Sequence, residues 1–232
     1  MRPRQTILLG LLLLVPVLAF LFLYGFGRNH YALPTYLPER VDSVRTSAGG
    51  WQRDTVFHRI RPFQLAGPGG RLVPATEIGQ GMYVVQFWAP GEAQAEVTRY
   101  LARLQEKFRR EPRLRLATLV ANLPGETAAQ TAAQLGKLSE QYGTIAGKWY
   151  FLAAPADTLN QLAKQEFGLT ALQPAHLPFR PATEPGNLAL GRLLLVDRNQ
   201  HVRGYYDGTD IHEVERLITE INVLLYTYDH GH

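Results

Sequence analysis

Cysteine is absent from all 232 residues of this chain, while seven histidines are present. A thiolate is the nucleophile of disulfide exchange and the soft ligand that selects copper(I), so neither chemistry can run here in its usual form. The histidines (His30, His58, His176, His201, His212, His230 and His232) are scattered and form no His-x-x-x-His pair. Each reads as an ordinary surface or partly buried side chain. The tail Asp229-His-Gly-His232 places two imidazoles beside a carboxylate. His230 and His232 are therefore the candidate weak ligands for Cu(II) or Ni(II), against a plain solvated terminus. Serine hydrolysis is disfavoured, because only Ser43, Ser47 and Ser139 occur and none lies in a Gly-x-Ser-x-Gly elbow. No phosphate-cradling glycine loop enters a helix; Gly67-Pro-Gly-Gly70 sits between short extended runs and reads as a turn. Glu92 is a lone carboxylate at a helix start, where it complements the macrodipole. No catalytic group is assigned.

The elements that would position such groups follow from periodicity. Residues 83–87 form a short apolar run of buried-strand type. In the helix expected over 93–108, Val97, Tyr100, Leu101, Leu104 and Phe108 fall on one face and Arg99, Arg103 and Lys107 on the other. Strands are expected at 114–120, 149–153, 193–196 and 201–206. Helices are expected at 128–142, closed by Gly143, at 157–167, and at 210–225 with Asp210 and Glu213 in a capping pattern. Residues 55–73 read as a short hairpin around the 67–70 turn, and the proline-rich stretch 173–187 as a loop. Trp88 and Trp149 read as core aromatics. This alternation predicts an α/β fold, a central mixed sheet with helices on both faces.

The amino-terminal part differs from the rest. Residues 5–27 are uncharged and dominated by Leu, Val and Phe. As a helix at about 1.5 Å per residue they would span roughly 35 Å, enough for a hydrocarbon core of about 30 Å. Arg2 and Arg4 would keep the near end cytoplasmic and place the bulk of the chain on the exported, periplasmic side of the inner membrane. A cleaved signal peptide is the competing reading. The run is long for one, and Leu23-Tyr-Gly-Phe-Gly27 is a poor cleavage site. The expected organisation is a single transmembrane anchor over 1–28, a linker over 29–53, one domain over 54–225 and a flexible tail over 226–232. The formal charge of +4 is mild. Arg40, Arg45 and Arg53 are scattered, so they read as solvated surface, and no nucleic-acid module is present.

Several phrases together resemble the Sco/SenC family of membrane-tethered, thioredoxin-fold proteins that help load copper into cytochrome c oxidase. They are Val84-Val-Gln-Phe87 with its following helix, Gly147-Lys-Trp-Tyr-Phe-Leu152, Leu194-Leu-Val-Asp197 and Arg203-Gly-Tyr-Tyr-Asp-Gly-Thr-Asp210. The segment Leu21-Phe-Leu-Tyr-Gly-Phe-Gly-Arg28 and Tyr31-Ala-Leu-Pro34 also look like the family's tether. The resemblance implies a thioredoxin-like fold for residues 54–225. It also implies a partner in the oxidase assembly line, a cytochrome oxidase subunit or assembly factor, besides the bilayer itself. Intact members bind copper through a Cys-x-x-x-Cys pair and a distant histidine. Carried over, these positions are Gly91, Ala95 and Ala189; aligned on the thioredoxin pattern Phe-Trp-Ala-Pro, the pair falls on Glu92 and Ala95. No donor atom of the family site remains. His176 precedes the lost histidine position but could not make a copper(I) site of the family type alone. The expectation is a degenerate member with no bound cofactor, the rim of its site formed by residues 88–95 and 173–189.

Overall fold

The computed structural model describes residues 12, 14–18, 20, 21, 33–45, 51–88, 92–122, 125–169 and 191–230. The chain divides into two compact units, Met1–Ala32 and Leu33–His232. In the first unit the described residues are helical and exposed. Among the described residues no helix is long and apolar enough to cross a membrane. Most of the expected span over residues 5–27 lies outside them.

The second unit is built on a seven-stranded mixed sheet. Its strands are β3 (Gln64–Ala66), β4 (Leu72–Pro74), β5 (Met82–Trp88), β6 (Leu114–Ala121), β7 (Trp149–Ala154), β8 (Arg192–Val196) and β9 (Val202–Asp207). Their order is β4-β3-β7-β6-β5-β8-β9. The central pairs β5–β6 and β6–β7 are parallel, and β5–β8 and β8–β9 are antiparallel. The long helices are α1 (Glu92–Lys107), α2 (Ala128–Gln141), α3 (Ala156–Gln165) and α4 (Ile211–His230).

All seven residues of β5 are buried, as expected for a strand covered on both faces. Its alternate side chains feed two separate cores. Met82, Val84 and Trp88 join Val97, Leu101 and Leu104 of α1, Leu135 of α2 and Leu217 and Ile221 of α4. Tyr83, Val85 and Phe87 join Leu159 and Ala163 of α3, with Phe167 and Tyr205. Helices thus cover both faces, as the sequence predicts. Thr127 and Gln130 start α2 with a reciprocal capping box, and Asp210 caps α4 by accepting from His212 N at 2.9 Å.

Two expectations are corrected. Residues 29–53, read as a linker, contain β1 (Pro38–Arg45) and the start of β2 (Trp51–Phe57), which pair antiparallel as a separate ribbon. The tail from residue 226, read as loose, continues α4 to His230. Tertiary contacts hold that last turn: Arg113 pairs with Asp229 at 2.5 Å, and the Tyr228 hydroxyl accepts from Arg198 N at 3.1 Å.

One buried carboxylate braces the base of the ribbon against the main body. Glu166 receives Arg61 N and Arg61 Nε at 2.8 Å each, and His58 Nε2 lies 3.2 Å away. The other ring nitrogen of His58 is 2.7 Å from Glu39 of β1. Burial opposes ionisation of Glu166, but the hydrogen bonds and charge of Arg61, with help from His58, outweigh it and hold the carboxyl below its usual range. A depressed folded value stabilises the fold above the unfolded-state value, near ~4.3 for a glutamate. That contribution is lost as pH falls through the lower folded value. Glu166→Gln should therefore flatten the acid side of a stability-versus-pH curve, measured by urea unfolding below about pH 4.3.

Tight strand approach gives a second test. A Cβ on Gly81 would lie 2.2 Å from Arg113 O, where β5 meets β6. Gly81→Ala should cost about 1–3 kcal/mol by forcing this backbone apart, seen as a lower urea midpoint with an unchanged slope.

Candidate functional site

In a sheet with parallel central strands, the ends of β5 and β6 and the start of the following helix form the natural site. Here β5 ends at Trp88 and α1 begins at Glu92. Ala95 is half-buried on the first turns of α1. Gly91, Ala189, His176 and the loop over 173–189 lie outside the described residues, as does the side chain of Glu92.

Between the end of β5 and the start of α1 lies a buried polar cluster. Gln86, on the face of β5 that meets α1, is fully buried with Thr98 and Thr118. Gln86 Nε2 donates to Thr98 Oγ1 at 3.0 Å, and Thr98 Oγ1 donates to Gln94 O at 2.7 Å. On the other side Thr118 Oγ1 donates to Gln86 Oε1 at 3.3 Å, and Trp149 Nε1 donates to Thr118 Oγ1 at 3.0 Å. The donors run one way through β7, β6, β5 and α1. This chain accounts for Trp149 as a core aromatic with its N–H satisfied.

Gln94 extends the chain to the rim. With its amide nitrogen toward Phe87 O (3.3 Å) and its oxygen toward Gly191 N (2.6 Å), it bridges β5 to the residue before β8. Gly191 O accepts from Gly208 N at 2.7 Å. A Cβ on Gly208 would meet Val97 Cγ1 at 2.6 Å, so only glycine lets this turn close on α1. The phrase 203–210 is accordingly structural throughout. Arg203 donates to Asp197 Oδ2 at 3.0 Å and Pro34 O at 2.9 Å. The Tyr205 hydroxyl donates to Phe167 O at 2.8 Å. The Tyr206 hydroxyl donates to Glu220 at 2.5 Å, and burial with that carboxylate pushes the phenol well above its usual range.

Two polar atoms at the strand ends stand apart. Trp88 Nε1 and Asn122 Oδ1 are buried with no hydrogen-bond partner among the described residues. Trp88 is a core aromatic, as expected. The sequence carries no signal for either orphan, because a partner's absence is a property of packing.

The described histidines do not converge. His58 is held by Glu39 and Glu166. His201 Nδ1 lies 3.9 Å from Asp197, a carboxylate already occupied by Arg203 and two backbone N–H groups. His230 stacks on Tyr226 at 4.1 Å between centroids, with Nδ1 3.0 Å from Tyr226 O. Its neighbour Asp229 is taken by Arg113, and His232 lies outside the described residues. Among the described residues no group of three or more His, Cys, Asp and Glu could hold a metal ion.

The buried chain is testable by stability. Thr98→Val strands the Gln86 amide and should cost about 1–3 kcal/mol. Joined with Gln86→Leu in a double-mutant cycle, the pair should cost less than the sum of the single changes. Urea unfolding of the four proteins checks this.

No protein-family model matches the chain, and no curated protein does. Solved structures do. A SCO1/SenC family lipoprotein from Bacillus anthracis str. Ames superposes with a TM-score of 0.54 at 16% identity, covering 72% of this chain and 95% of that one. BsSco, described as a member of the Sco family of cytochrome c oxidase assembly proteins and bearing a disulfide switch, gives 0.52 at 16%, covering 72% and 93%. A proposed protein disulfide isomerase from Bacteroides thetaiotaomicron gives 0.51 at 14%, covering 75% and 92%. At these identities the likeness speaks for the fold: residues of the second unit form a thioredoxin-like α/β domain whose structural neighbours include Sco/SenC family proteins.

Proposed function

We propose that the chain is a degenerate Sco/SenC-like protein. It is held in the membrane by residues 5–27 and acts in cytochrome c oxidase assembly by binding partners rather than by carrying copper or exchanging disulfides. One observation carries this reading: the chain has no cysteine, although it has the strand, helix and closing turn that would frame a cysteine pair. The family resemblance of four separate phrases supports the kinship. The oxidase connection comes from that resemblance and from the description of one structural neighbour.

The chemistry follows from what lines the framework. Copper(I) selectivity rests on thiolates, and Ala95 offers no donor atom. The buried groups closest to the turn, Gln86, Thr98 and Gln94, are neutral and spend their hydrogen bonds on one another and on backbone. They hold a shape and have no charge to lend to a reacting group. A protein of this kind acts as a pseudo-chaperone, through the surface it offers to a partner. The tail reading of copper handling through His230 and His232 gains nothing from a histidine stacked on Tyr226 and a carboxylate paired with Arg113.

The test is copper(I) competition by the full chain in detergent against a chromogenic chelator. The chelator is expected to keep its copper at micromolar metal. Stoichiometric transfer to the protein would overturn the reading. In parallel, affinity purification from native membranes is expected to recover oxidase subunits or assembly factors, and their absence would remove the assembly role.

A further inference from the structure

The ribbon of β1 and β2 is the part of the second unit that the main sheet does not explain. Among the described residues it pairs with no other strand, and its two faces differ. Strand side chains alternate, and cross-strand partners share a face. The pairs Val41↔Thr55 and Ser43↔Arg53, with Trp51 in the same alternation, define one face. The pairs Asp42↔Asp54 and Arg40↔Val56 define the other. Trp51 is 74% exposed and Val41 60%, and Ser43 and Arg53 are also exposed. Both aspartates lie on the opposite face, where Arg40 pairs with Asp42 at 3.0 Å. Glu39, at the bulge near the base, is taken by His58. Beyond the bulge, from Val41 and Thr55 to Trp51, the first face therefore combines an indole, an aliphatic side chain and a guanidinium with no carboxylate.

We propose that this face is a docking surface for an anionic lipid headgroup layer. Indole rings favour the membrane–water boundary, arginine is drawn to anionic headgroups, and the missing carboxylate removes the repulsion that would oppose the contact. Chain length permits it: from residue 27 to residue 38 the backbone reaches at most about 36 Å when fully extended. The proposal rests on the reading of residues 5–27 as an anchor. The Glu39–His58–Glu166–Arg61 contacts make the ribbon a braced projection, so the docked face would set the orientation of the domain on the bilayer.

The three tryptophans supply the readout. Trp88 and Trp149 are 9% and 3% exposed, so an aqueous quencher reports chiefly on Trp51. The full chain is reconstituted into vesicles of phosphatidylcholine and into vesicles of equal parts phosphatidylcholine and phosphatidylglycerol. Flotation scores retention, and acrylamide quenching scores exposure of Trp51, with Trp51→Phe marking the buried background. The expected result is weaker quenching on the anionic vesicles, restored by salt. Arg53→Glu should shift the docked-to-free ratio roughly fivefold or more, the factor expected from about one cation at an anionic leaflet. Equal quenching on both vesicles, with the chain retained on both, overturns the ribbon contact and leaves the anchor standing. Retention on anionic vesicles alone removes the anchor and keeps the ribbon contact, while loss from both removes both. Shielding that survives Arg53→Glu and salt, or that occurs equally in detergent, overturns the lipid assignment in favour of a second copy of the chain.

Discussion

Strand β5 must be buried on both faces and hydrogen-bonded on both edges, and the arrangement of the second unit follows from that demand. A strand in this position needs parallel partners reached by crossovers and a helix layer on each side. The parallel β6 on one side and the antiparallel β8 on the other satisfy its edges, and β7 extends the parallel set beyond β6. Helices α1, α2 and α4 on one face and α3 on the other satisfy its side chains. Within β5 the apolar run is broken by Gln86, a fully buried amide in the centre of that strand. An unpaired amide there would cost about 1–3 kcal/mol. The fold meets that cost with hydroxyls from two further elements, so Thr98 and Thr118 are fixed by Gln86.

This arrangement explains how α1 keeps its place without a sulfur chemistry to serve. Thr98 returns its proton to Gln94 O on the preceding turn, and Gln94 ties Phe87 to Gly191. The start of α1, the end of β5 and the start of β8 are held together from inside. Gly208 lets the last turn close over them by its lack of a Cβ. Each support sits below the rim, and none requires a thiol, a disulfide or a metal.

Much of the fold was legible because it is periodic. Val97, Leu101 and Leu104 repeat at helical spacing, and the apolar runs of β5 to β8 leave no doubt about burial. The ribbon was not legible. Pro38–Arg45 reads Pro-Glu-Arg-Val-Asp-Ser-Val-Arg, polar on both faces, and its pairing is set by cross-strand register rather than by a core. The last turn of α4 was missed for a related reason, since Arg113 and Arg198 hold it from distant parts of the chain. At the site, the sequence showed which donor atoms are missing. The buried polar chain was hidden, because Gln86, Thr98, Thr118 and Trp149 come from four elements and form no motif.

The ribbon and the main sheet are built on opposite principles. The sheet is rigid because its polar groups are satisfied internally, so it presents a fixed shape. The ribbon spends few side chains on the core, which frees Trp51, Val41 and Arg53 to face outward. A surface of that composition on a long, free edge would invite strand pairing and aggregation. Here Pro38 interrupts the edge at one end, and the opposed Asp42 and Asp54 charge the other face. The two faces of the ribbon thus differ in chemistry, one carrying Trp51 and Val41 and the other the paired aspartates. Glu166 matters beyond its own hydrogen bonds, because it couples that surface to the end of α3 and so to the sheet whose orientation the contact would fix.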